Sequence, residues 1–143
     1  MGVAAAMPYL GMAYKLVQYD GRPVMKLSTG KAPLVDQKQV WRRTVDGSYV
    51  ADLIALRWEP ALLDAVPLLQ GVMRAGQVLP PAPDLARARQ QYATDRVRLA
   101  EPYWRLEGGA VYPVRVSEAL ATIQHEVEMA LRQQCHDIPV LLA

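Results

Sequence analysis

The 143 residues predict an α+β fold, with antiparallel β-hairpins in the first half followed by two C-terminal helices. Three observations carry that expectation. The first eighty residues hold paired runs of β-prone residues, each pair folded about a short turn ending in glycine. After the proline cluster Pro80–Pro83 the apolar residues change to helical spacing. Asp84 and Ser117 then stand where two helices need an N-cap.

The elements follow in order. Tyr14–Tyr19 and Arg22–Ser28 flank Asp20-Gly21, a dipeptide suited to a type I′ turn. With a two-residue loop, Tyr19 faces Arg22, Val17 faces Val24 and Lys15 faces Lys26. One face then carries Leu16, Met25 and Leu27 and is expected to be buried, while the other is basic. Pro23 cannot donate to a ladder, which places part of the second strand at an edge. "STGKAPLVDQ" is a loop, and "KQVWRRT" with "SYVADLIAL" forms a second hairpin about Val45-Asp46-Gly47. "WEPALLDA" reads as short helical or irregular structure, and "VPLLQGVMRAGQVLP" carries a third hairpin turning at Ala75-Gly76. A helix runs from Asp84 to about Leu99, with Leu85, Ala88, Tyr92 and Leu99 as a thin apolar stripe. A connector with one short strand, Tyr112–Val116, leads to a last helix capped by Ser117, where Leu120, Ile123, Val127 and Leu131 share a face. The expected organisation is one structural unit in three stretches: a connecting remnant over 1–13, a hairpin region over 14–80 and a helical region over 81–143.

Composition narrows the function. The net charge of +2 is too small to argue for nucleic acid, but residues 1–50 hold seven basic against three acidic side chains and all four lysines. A single cysteine, Cys135, excludes an intrachain disulfide framework and fits a cytoplasmic setting. No run approaches the ~18 apolar residues of a membrane span. The first basic residue is Lys15, so the N-terminus lacks the charged start of a signal peptide, and Ala6 stands where myristoylation wants Ser or Thr. The opening "GVAAAMPYLGMA" has the look of a stretch from inside a longer chain.

Catalytic and metal chemistry finds little support. His125, Cys135, His136 and Asp137 match no common zinc spacing, and Cys135 has no organised base beside it. "STGK" lacks the earlier glycine and the following helix of a phosphate loop. The acids near Asp95, Glu101 and Glu107, and Glu126 with Glu128, read as solvated charges. No catalytic residue and no metal ligand is therefore expected. What remains is the basic, aromatic first third. Opposed lysines cost a hairpin tenths of a kcal/mol up to about 1, a cost that a facing anion removes. Lys15, Arg22, Lys26 and Lys31 are the candidate anion- or substrate-facing residues. Two solvated lysines splayed on an outer face are the simpler alternative.

One further signal is a resemblance. "PYLGMAYKLVQYDGRPVMKLSTGKAPLVDQKQVWR" (8–42) resembles the stretch that follows the barrel in nicotinate phosphoribosyltransferases, with its Y-K-L-V, G-R-P, K-L-S-x-G-K and K-Q-V-[WFY]-R motifs at the expected spacing. "DGSYVADLIAL", "PLLQGVMRAGQVLPPAPDLARAR" and "YPVRVSEAL" continue the likeness co-linearly over roughly residues 2–132. The resemblance implies the last third of a type II phosphoribosyltransferase. The full enzyme joins nicotinate to 5-phosphoribosyl-1-pyrophosphate, with ATP and Mg2+, to give nicotinate mononucleotide in NAD salvage. Its phosphorylated histidine and most of its phosphate-binding loops lie in the barrel. The last of those loops, a G-x-G-T run, is expected upstream of Gly2, and neither His125 nor His136 stands in the catalytic histidine's context. Near the N-terminus Ala4, Ala6 and Met7 depart from the family's pattern, and Val35-Asp36 replaces a turn-forming Pro-Gly.

The resemblance therefore implies a chain that is inactive alone and uses no cofactor of its own. Its implied partner is the N-terminal barrel portion of the same enzyme or a homodimer subunit. No membrane or nucleic-acid partner is expected. Two rival readings stand beside it: a free-standing basic β-module that binds nucleic acid or another anion, and a truncated gene product without activity.

Overall fold

A computed structural model describes residues 14–27, 32–81, 84–105 and 107–136. The expectations placed on Lys31, on residues 1–13 and on the tail beyond 136 lie outside the described residues.

The centre is a mixed four-stranded sheet. Strands β3 (Lys38–Val45) and β4 (Ser48–Leu56) form its antiparallel middle. Asp46 and Gly47 both take positive φ, as a two-residue hairpin turn requires. Arg43 pairs with Ala51 but Thr44 pairs with Tyr49, so Val50 is an extra residue, a β-bulge. Strand β5 (Ala65–Pro67) pairs antiparallel with β3 and forms one edge, where Pro67 costs no central ladder bond. At the other edge β8 (Val114–Val116) runs parallel to β4, Asp52 beside Val114 and Ile54 beside Val116. The sheet order is β5-β3-β4-β8.

The expected antiparallel hairpins are present, and the short strand before α2 also pairs parallel to β4, a contact that the sequence pattern does not indicate. Its cause is the route of the chain. A parallel neighbour needs a crossover of a dozen or more residues, and residues 57–113 supply it. Val66 and Pro67 also leave the expected third hairpin and, with Ala65 from the stretch read as helical or irregular, become a sheet edge.

Two small hairpins stand apart from the sheet. Strands β1 (Gln18–Tyr19) and β2 (Arg22–Pro23) turn at Asp20-Gly21, with φ of 48° and 71°. The ladder is shorter than the expected Tyr14–Ser28 hairpin. One further bond, from Val24 N–H to Val17 O (2.9 Å), closes it, and the same oxygen also accepts Asp36 N–H at 2.8 Å. The loop before β3 thus takes up the carbonyl on which the hairpin ends. Strands β6 (Met73–Arg74) and β7 (Gln77–Val78) turn at Ala75-Gly76 as expected.

The helices begin where the sequence places them. Asp84 accepts from Ala86 N–H at 3.0 Å and opens α1 (Leu85–Arg98). Ser117 accepts from Leu120 N–H at 3.2 Å and opens the 19-residue α2 (Glu118–His136). Its hydroxyl donates to Glu59, whose carboxylate also receives Leu56 N–H, tying the start of α2 to the end of β4.

The core lies between α2, the end of β4 and the residues Met25, Leu27, Leu34 and Val35. Val35, Leu56 and Leu120 are fully buried there, with Met25 beside them. Ile123, Val127 and Leu131 extend the α2 face, as their spacing predicts. Met25 and Leu27 join this core as expected, but Leu16 is 65% exposed, because the ladder ends before its strand can carry it inward. The stripe on α1 also differs from expectation. Among the described residues, none of α1's is buried, and Leu85 and Tyr92 are largely exposed.

Candidate functional site

The sequence singled out Lys15, Arg22, Lys26 and Lys31. The structure brings two of them together. Lys15 and Lys26 both line a concave surface of about 510 Å³ whose walls are Tyr14, Leu16, Val24 and Met25. Both lie beyond the last ladder bond, so they line one cavity rather than forming an opposed strand pair. Both are exposed, and water screens such charges from one another. Arg22 sits at the hairpin turn opposite Tyr19 and does not line this cavity.

Just behind lies a polar network that joins the first hairpin to the rest. Gln18 donates to the Asp36 carboxylate at 2.6 Å, and Gln37 Nε2 donates to Gln18 Oε1 at 2.7 Å. Val35 N–H donates to Gln124 Oε1 on α2 at 2.9 Å. The Lys38 ammonium donates to the carbonyls of Leu34 (2.8 Å), Val35 (3.1 Å) and Asp36 (2.5 Å). Burial pushes Lys38 below its ordinary pKa, and the Asp36 charge opposes that shift. Lys38 therefore works as an internal clamp on the loop, not as a free cation for a ligand.

A second cluster was only partly visible in sequence. Arg42 on β3 faces Asp52 on β4 and binds it through two bonds of 2.9 and 2.8 Å. The guanidinium lies 4.8 Å from the Tyr49 ring centre and 5.8 Å from that of Tyr112. Tyr112 donates to Asp52 Oδ1 at 3.1 Å, and Tyr49 donates to Asp95 on α1 at 2.6 Å. The hydrogen bond to Asp52 raises Arg42 further above its already high pKa, against the effect of burial. Burial first, and the Asp52 charge second, push the Tyr112 hydroxyl up to about 12. Arg42 and Asp52 are paired with and bonded to each other, the condition under which a largely buried ion pair is tolerated. The cluster fastens β3, β4, α1 and the segment before β8 to one another. In the sequence Arg42 stands as one of the seven basic residues of the first fifty. The missing signal was the pairing of Arg42 with Asp52 across the Asp46-Gly47 turn, which the bulge at Val50 makes hard to count.

A cavity of about 590 Å³ lies between α1 and the sheet. Its walls carry Arg42, Arg87 and Arg98 but also Asp84 and Asp95, and Asp52 already neutralises Arg42. It therefore holds no concentrated positive charge. Among the described residues, no group of three His, Cys, Asp or Glu is placed to hold a metal ion. His125 is exposed on α2. Both clusters tie elements of the chain to one another.

Comparison with known proteins gives the arrangement its context. Residues 61–124 match the family model described as the nicotinate phosphoribosyltransferase C-terminal domain. A nicotinate phosphoribosyltransferase of Mycobacterium tuberculosis is 36% identical over 130 residues, covering 86% of this chain and 27% of the relative. That of Bos taurus is 31% identical over 140 residues, covering 81% of this chain and 26% of the relative. The chain is homologous to the C-terminal domain of nicotinate phosphoribosyltransferases. The crystal structure of human nicotinic acid phosphoribosyltransferase superposes with a TM-score of 0.68 at 28% identity, over 80% of this chain and 26% of that one. The α+β architecture is thus that of the C-terminal domain of nicotinate phosphoribosyltransferase, and the chain spans about a quarter of the length of these relatives.

Proposed function

We propose that these 143 residues serve as the C-terminal region of a nicotinate phosphoribosyltransferase and act only together with the barrel region of such an enzyme. The observation that supports this reading is the coverage. More than four-fifths of this chain aligns with only about a quarter of its relatives. In the proposed assembly the barrel supplies the phosphate-binding loops, the acidic Mg2+ ligands and the ATP chemistry. The product is nicotinate mononucleotide, made in the cytoplasm from nicotinate and 5-phosphoribosyl-1-pyrophosphate. Ribosyl transfer requires stabilisation of charge on a pyrophosphate leaving group. The described residues suit a packing role instead, because their charged side chains of lowest exposure are already engaged with protein partners.

The test is an assay of nicotinate mononucleotide formation by the chain alone and with the N-terminal portion of a nicotinate phosphoribosyltransferase from the same organism. Product is expected only from the pair. Turnover by the chain alone overturns the reading, and so does a pair that stays inactive.

Within this reading Lys15 and Lys26 face the anionic side of the completed cleft or a subunit boundary. The double change Lys15→Met/Lys26→Met is expected to raise the KM for 5-phosphoribosyl-1-pyrophosphate by roughly tenfold, equivalent to ~1.4 kcal/mol. An unchanged KM makes the two lysines plain surface charge.

A further inference from the structure

Residues 68–79 leave the sheet as an arm whose base is fixed and whose outer part is not covered. At the base, Leu68 N–H donates to Val40 O at 2.8 Å. The Gln39 side chain then imitates a strand. Its Oε1 accepts Leu69 N–H at 2.9 Å, and its Nε2 donates to Leu69 O at 3.0 Å. Beyond Gln70 the chain doubles back, with Leu79 N–H on Val72 O at 2.9 Å and Met73 beside Val78. Ala75 and Gly76, at φ of 47° and 79°, close the turn. Leu79 folds over Gly71, where a Cβ would stand 3.3 Å from its Cδ1.

The arm's side chains do not match its setting in water. Leu69, Val72, Met73 and Val78 are each more than half exposed. A two-stranded hairpin without a third strand is marginal in water, and here Met73 and Val78, paired across the strands, expose adjoining apolar side chains of the kind that mark a contact surface. The outer turn adds a single charged group, Arg74, also exposed.

We propose that this arm is the element by which the chain docks onto the N-terminal three-quarters of a nicotinate phosphoribosyltransferase, an inference that rests on the function proposed above. The occupant is chosen by length. The chain corresponds to 26–27% of its relatives, and the arm lies inside the matched C-terminal domain, so the covering surface falls to the remaining part of such an enzyme. The receiving surface is an apolar groove with a carboxylate at its rim, opposite Arg74.

The experiment measures binding of the full 143-residue chain to that N-terminal portion, with product formation in parallel. The double variant Met73→Asp/Val78→Asp is expected to weaken binding at least tenfold. At fixed concentration it lowers activity to match, and excess chain restores it. Circular dichroism and thermal melting of the variant alone are expected to stay as in the parent. Should the aspartates unfold the chain, Met73→Ser/Val78→Thr read the same way replaces them, with a loss of at least threefold expected. Binding within twofold of the parent by a folded variant overturns the arm inference but leaves the proposed function standing. A parent chain that neither binds nor activates the N-terminal portion overturns both. A parent that is dimeric by itself, with a monomeric arm variant, makes a second copy the occupant and also overturns the inference.

Discussion

The two sides of this molecule solve the same problem of apolar surface differently. Around α2, Val35, Leu56 and Leu120 are fully buried, and the backbone beside them is tied to side chains of Gln124, Lys38, Glu59 and Ser117. On the side of the β6–β7 arm and α1, Val72, Met73, Val78, Leu85 and Val97 are all more than half exposed. Composition does not separate the two, since both are rich in Leu and Val. The difference is that one set closes on itself within the chain and the other does not. A domain with its own complete core has little need of the second kind of surface. Under the function proposed above, the second kind is the surface that meets the rest of the enzyme.

The largest effect expected from that contrast is in the closed sector. Leu120→Ala removes a fully buried side chain from the junction of α2 and β4. Lost burial plus the residual cavity is expected to cost about 2–5 kcal/mol, read from the midpoint of urea unfolding. For so small a core this is a large part of the total stability. A cost below ~1 kcal/mol would mean that α2 is not held by this face, and the contrast would collapse.

A smaller effect sharpens the boundary between the two sectors, where the Arg42–Asp52 pair sits. Tyr112 donates to Asp52, and burial together with the Asp52 charge pushes its hydroxyl up to about 12 from the ordinary 10. Its folded pKa is raised, so the stability it contributes is complete below about pH 10 and is lost as pH rises through about 12. Titration of phenolate absorbance in the folded chain is expected to show one tyrosine ionising late. Tyr112→Phe should delete that late step and cost ~1 kcal/mol at neutral pH, the worth of one hydrogen bond. A late step that survives the substitution would assign it to another tyrosine.

What could be read from sequence divides along the same line. Features fixed by one or two neighbouring residues were legible. The turns at Asp20-Gly21, Asp46-Gly47 and Ala75-Gly76 each need positive φ, and the caps Asp84 and Ser117 need a short side-chain acceptor. Features made by partners distant in sequence were not. The β4–β8 pairing spans the whole crossover, and the Gln39–Leu69 bonds let a side chain stand in for a strand. Asp36 shows both. The sequence marks it as a departure from the Pro-Gly of related enzymes, and the structure holds it at φ 62°, which glycine adopts freely. Its carboxylate compensates by accepting Gln37 N–H at 2.7 Å and Gln18 Nε2 at 2.6 Å. Of the candidate residues, Lys15 and Lys26 line one cavity although the ladder ends before the register that would oppose them, and the Arg42 cluster depends on Tyr112 and Asp95, far along the chain.

The smallest expected effect is the most discriminating. Met73→Asp/Val78→Asp alters two apolar residues on the arm, yet both are more than half exposed in the isolated chain. Substitutions at such positions, away from buried contacts, usually stay within about 0.5 kcal/mol. Urea unfolding of the isolated variant is therefore expected to match the parent within that margin, in contrast to Leu120→Ala. A loss above ~1.5 kcal/mol would show that the arm packs against this chain itself in solution, and the open sector would then be closed like the other. Stability held while partner binding falls would separate the two kinds of apolar surface, one spent on folding and one left for the rest of an enzyme.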